Sequence, residues 1–67
     1  MKREEKIDEI VHFVSKYPDS IASRAILRRY YMNNNLYETS KELAIHLKEV
    51  LEEKETEEID FCFYLVK

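Results

Sequence analysis

The residues able to do chemistry in this chain are few, and they are scattered. His46 has Glu42 four positions before it and Glu49 three after it, a spacing that on a helix lets a carboxylate orient the imidazole. No nucleophile is placed beside it by sequence, so His46 reads as a histidine on a solvated helix edge. Cys62 follows Asp60 without a basic neighbour to lower its pKa, which is the setting of a structural thiol. The chain has no glycine, which rules out a Gly-rich phosphate loop and a G-x-S-x-G elbow, and it has no H-E-x-x-H pair. One cysteine cannot close a disulfide within the chain, and with two distant histidines it makes no recognisable zinc set. No catalytic residue, metal or cofactor is therefore expected, and the chain reads as a non-enzyme.

A different chemistry is offered by Arg24-Ala25-Ile26-Leu27-Arg28-Arg29-Tyr30-Tyr31. Arginines with adjacent tyrosines could hold a phosphate backbone, as helix–turn–helix proteins do. They could equally pair with glutamates of the third helix or of a partner chain. The charge distribution favours pairing. Residues 1–35 carry seven basic against five acidic side chains, a net of +2; residues 36–67 carry four against nine, a net of −5. The overall −3 argues against general affinity for nucleic acid or membrane. Glu49, Glu52, Glu53, Glu55, Glu57, Glu58 and Asp60 concentrate the negative charge, which reads as a solvated helix end; imitation of nucleic acid is the remoter alternative.

The elements that must position these side chains follow from hydrophobic periodicity. Ile7, Ile10, Val11 and Val14 recur at helical spacing, and Tyr17-Pro18 ends that helix because the residue before proline is pushed out of the helical region. Asp19 or Ser20 can cap a second helix over residues 20–32. Its wide apolar arc, Ala22, Ile26, Leu27, Tyr30 and Tyr31, suggests a central position with contacts on two sides. Asn33-Asn34-Asn35 marks the next break, asparagine being the residue here best able to take the left-handed conformation. A third helix opens with the capping-box spacing Thr39-Ser40-Lys41-Glu42 and carries the stripe Leu43, Ala44, Leu47, Val50 and Leu51. Ile10, Val14, Ile26, Leu43, Leu47 and Val50 are the expected core.

Residues 59–66 support two readings. Ile59, Phe61, Phe63 and Leu65 alternate with Asp60, Cys62 and Tyr64, and aromatic and β-branched content favours a strand. Ile59, Cys62, Phe63 and Val66 also fit a fourth helix beginning near Thr56. Propensity decides for the strand, which gives an α+β, mostly α fold of three helices and a C-terminal strand, with an all-α fold of four short helices as the alternative. Such a strand needs a partner. Residues 35–37 could supply only a short bridge, so residues 59–66 are expected to pair with the same segment of a second molecule, with Ile59, Phe61, Phe63 and Leu65 at the interface.

Sixty-seven residues form one small domain, and a core of this size seldom supplies more than about 3–5 kcal/mol, which also favours a homodimer. Glu4, Glu5, Asp8 and Glu9 stand where the apolar stretch of a signal peptide would begin, and no apolar run approaches a membrane span. The sequence thus describes a small cytoplasmic protein–protein interaction or regulatory module, its expected partner a second copy or another protein. The alternative is a helix–turn–helix-like DNA-binding regulator using Arg24, Arg28 and Arg29.

Overall fold

Four helices and one short turn of 3-10 helix carry the whole fold. The computed structural model describes residues 1–67, the side chain of Asn34 excepted. In chain order the elements are α1 (Arg3–Lys16), α2 (Ile21–Arg29), the 3-10 turn (Asn34–Leu36), α3 (Ser40–Glu52) and α4 (Thr56–Val66). No helix is long and apolar enough to cross a membrane among the described residues.

The expected C-terminal strand is a helix. After α3, the N–H groups of Glu53 and Lys54 donate back to Val50 O and Leu51 O, and Glu55 O then accepts from Glu58 and Ile59 N–H to open α4. Winding at 3.6 residues per turn brings Ile59 and Cys62 to one buried side, with Phe63 and Val66 half-buried beside them. A strand would instead have set Cys62 opposite Ile59. The helix prevails because it satisfies its backbone groups within the segment and still buries this stripe, whereas a strand would leave both edges unpaired. With the strand goes the expected pairing of residues 59–66 with the same segment of a second molecule, and residues 35–37, which could have supplied only a short bridge, fall in the 3-10 turn and the residue after it.

Packing centres on α1, whose most extensive neighbours are α3 and α4; α2 packs more sparsely, against both α4 and α1. The central place expected for the second helix therefore belongs to the first. The core joins Ile7, Ile10, Val14, Ile26, Leu27, Met32, Leu43, Leu47, Leu51, Ile59 and Cys62. Of the six residues expected there, Val50 alone is only half-buried, because Leu43, Leu47 and Leu51 already fill the inward line of α3. The folded chain exposes 4829 Å², close to the value of about 4,500 Å² for a compact monomer of this mass. With α4 in place, closing the core does not require a second chain.

The boundaries follow from local chemistry. Tyr17 ends α1 just before Pro18, and Ser20 caps α2 by accepting from Ser23 N–H at 3.2 Å. Thr39 caps α3 by accepting from Glu42 N–H at 3.2 Å; the Glu42 carboxylate accepts from Glu38 N–H instead of closing the expected box on Thr39. The end of α3 has no glycine, and its open carbonyls are met from another helix. The Arg3 guanidinium donates to Leu51 O, Glu52 O and Lys54 O at 3.3, 3.0 and 2.5 Å.

Helix α2 stops earlier than residue 32, and not on an asparagine. Tyr31 takes the left-handed conformation at φ 57°. Met32 N–H donates to Leu27 O at 2.8 Å and Tyr31 N–H to Arg28 O at 3.2 Å, the paired bonds of a Schellman motif. Leu27 and Met32 are both buried, supplying the apolar contact that accompanies it. The asparagines act one step later: Asn33 O and Oδ1 accept from Leu36 and Asn35 N–H, which shapes the 3-10 turn.

Candidate functional site: the arginine face of α2

Three arginines stand on α2, and the fold divides them. At 100° per residue, Arg24 and Arg28 fall on one side with Ile21 and Ala25, while Ser23, Ile26 and Leu27 turn inward. Arg29 lies at the edge that meets α4. There its guanidinium grips the Glu58 carboxylate twice, Nε to Oε2 and Nη2 to Oε1 at 2.9 Å, a charge-assisted fork. The ring of Phe61 lies 4.6 Å from the same guanidinium, adding a cation–π contact.

Behind this pair runs a chain of hydrogen bonds. Tyr30 Oη is 2.7 Å from Glu58 Oε2 and 3.0 Å from Cys62 Sγ. An ionised carboxylate can only accept, so the Tyr30 proton goes to Glu58 and the Cys62 thiol donates to the Tyr30 oxygen. The Arg29 and Tyr30 bonds hold the Glu58 carboxyl down to about 2, well below the usual range. Burial, and then its bonds to Cys62 and Glu58, push the Tyr30 hydroxyl up; burial likewise raises the Cys62 thiol. This is the reverse of what a nucleophilic thiolate needs. The network ties α2 to α4.

Arg24 and Arg28 have no such partner. Both are exposed, and neither forms an ion pair among the described residues. They border a cleft of about 240 Å³ against the 3-10 turn, floored by Leu27 and Met32 and flanked by Asn33 and Asn35, with Asp19 at its rim. At the two ends of the helix stand Ile21, 88% exposed, and Tyr31, 95% exposed. The outer surface of α2 is thus cationic along its length and apolar at its ends, with the small Ala25 between.

A second, more open cleft of about 530 Å³ separates the end of α2 from the α3–α4 corner, lined by Arg29, Tyr30, Lys54, Glu55, Glu57 and Glu58. The Lys54 ammonium sits 5.4 Å from the Tyr30 ring. Glu55 and Glu57 are exposed and have no cationic partner among the described residues. The acidic run thereby splits as the arginines do: Glu58 and Asp60 are engaged, by Arg29 and Lys6, and Glu55 and Glu57 face outward.

The other candidates are not assembled into a site. His46 Nδ1 meets the Tyr37 hydroxyl, not Glu42 or Glu49, so its orientation comes from the loop before α3. No group of three or more His, Cys, Asp or Glu able to hold a metal occurs among the described residues. The four residues expected at an interface no longer share a face. Ile59 is core, Phe61 lies under Arg29 with 44% of its surface exposed, and Phe63 and Leu65 are half-buried. Tyr31 is the residue sequence reasoning missed. Its place in the wide apolar arc of residues 20–32 predicts a packing contact, and its left-handed backbone turns it out to solvent instead.

No protein-family model matches the chain, and comparison with curated proteins and with solved structures finds no match either. Function is to be read from the side chains themselves.

Proposed function

We propose that this chain is a small non-enzymatic interaction module, cytoplasmic, that binds a carboxylate-bearing protein surface through the outer face of α2. One observation carries the reading: Arg24 and Arg28 stand exposed without an intramolecular ion pair among the described residues, while Arg29 beside them is neutralised by Glu58. In a chain of net −3, unpaired arginines in register along one helix suit an acidic protein surface, because guanidinium groups grip carboxylates in a fixed, forked geometry. The apolar residues at both ends of the face add surface that water leaves on contact. Cys62, buried with a raised pKa, and His46, held by Tyr37, offer no activated nucleophile or base.

A DNA regulator has less support. Residues 30–39 separate α2 from α3, more than the three or four residues of a helix–turn–helix connection. Helix α3 also presents Glu42, Glu49 and Glu52, which phosphate repels.

The test is fluorescence anisotropy with two probes, a labelled synthetic amphipathic peptide rich in glutamate and a labelled nonspecific duplex. The peptide is expected to bind, and Arg24→Glu/Arg28→Glu to weaken it at least about tenfold without changing the circular dichroism spectrum. Equal peptide binding by the reversed variant would overturn the reading. Arginine-dependent binding of the duplex with a steep salt slope, and none of the peptide, would replace it with the DNA regulator.

A further inference from the structure

We infer that the carboxylate surface bound by α2 is the α3–α4 corner of a second copy of this chain, in a two-fold dimer with Tyr31 of each protomer seated in the 530 Å³ cleft of the other. This rests on the reading of α2 as an acid-binding face and supplies its partner.

Three features converge on it. The first is charge. Arg24 and Arg28 are unpaired on α2, Glu55 and Glu57 are unpaired at the corner, and the Arg29–Glu58 pair joins α2 to α4. A positive and a negative patch on one molecule are self-complementary where a two-fold axis passes between them, since each sign then meets its opposite twice. The second is Tyr31. A non-glycine residue at φ 57° with 95% of its surface exposed holds an unfavourable conformation without an internal contact to compensate it. The Schellman bonds fix the backbone that carries the ring, so only its side-chain torsions remain to be ordered on contact.

The third is the cleft itself. It begins at Tyr30, the residue before Tyr31, and combines the Tyr30 ring and the Lys54 ammonium with the carboxylates of Glu55 and Glu57. A phenol fits that chemistry: its ring takes the cation–π contact and its hydroxyl donates to a carboxylate. The monomer already closes its own core, so this is a polar, reversible association and not an obligate one.

Sedimentation equilibrium at micromolar to millimolar loading tests it. A reversible dimer is expected. Arg24→Glu/Arg28→Glu and Glu55→Arg/Glu57→Arg are each expected to weaken it at least about tenfold through like-charge contact. An equimolar mixture of the two variants should dimerise again, because each interface then joins opposite charges. Tyr31→Ala should weaken the dimer while leaving the monomer folded by circular dichroism. A chain that stays monomeric at millimolar concentration, or a dimer indifferent to both reversals, would overturn the inference. If the monomer still binds the glutamate-rich peptide through its arginines, the acid-binding reading stands and only the second copy is wrong; if it binds neither, both fall.

Discussion

Helices α2 and α4 lie against each other, are of similar length, and use their side chains in opposite ways. Helix α4 turns Ile59 and Cys62 into the core and engages two of its three ionised side chains, Glu58 with Arg29 and Asp60 with Lys6 at 2.7 Å, leaving Glu57 outward. Helix α2 gives Ser23, Ile26 and Leu27 to the interior and leaves Ile21, Arg24, Ala25 and Arg28 without intramolecular work. The contrast teaches that a charge in this fold is explained by its angular position and not by its type. Arg28 and Arg29 are sequence neighbours, yet Arg29 belongs to the contact with α4 and Arg28 to the exposed surface.

The sharpest way to break the comparison is to make the same substitution on each side. Ile59→Ala should lower stability by about 2–5 kcal/mol, as removal of a fully buried branched side chain does. Ile21→Ala should stay within about 0.5 kcal/mol of the parent, as changes on an uninvolved surface do. Urea denaturation of both variants decides it; a costly Ile21→Ala would mean that α2 has no free face.

A smaller change of opposite sign is expected at the end of α2. Tyr31→Gly should raise stability by about 1 kcal/mol, because glycine takes positive φ without the steric penalty that other residues meet there. Denaturation of the monomer at high dilution measures it. No gain would mean that the tyrosine ring is already compensated within its own chain.

The Arg29–Glu58 junction gives a pH signature. Glu58 titrates at about 2 in the folded chain against 4.5 unfolded, so its contribution is complete above pH 4.5 and is lost as pH falls toward about 2. The pair is partly solvated and the contribution is correspondingly modest. Glu58→Gln should flatten part of the acid fall in melting temperature, and an unchanged pH profile would mean that the fork does not persist in solution.

The smallest effect is expected on the free face. Arg24→Glu/Arg28→Glu should shift monomer stability by no more than about 0.5 kcal/mol. A large loss in thermal melts would place these arginines in the packing with Arg29.

How much of this was legible in the sequence depends on the range of the interaction that decides each feature. Pro18 ending α1, Ser20 and Thr39 capping their helices, and the Leu43, Leu47, Leu51 line of α3 are local or periodic, and the residues alone dictate them. The asparagine run located the break after α2 but not its αL residue, since the Schellman bonds depend on Leu27 and Met32 both finding the core. Residues 59–66 satisfy a period of two and a period near 3.6 equally well, and short apolar runs of this kind have no internal arbiter. Tertiary structure decided them: α1 offers a surface that takes Ile59 and Cys62 together, and the fold offers no strand edge to pair with. The division of the arginines is of the same kind. Their spacing set Arg29 apart from Arg24 and Arg28, but only the placement of α4 beside α2 brought Glu58 to one of them and left the other two facing outward.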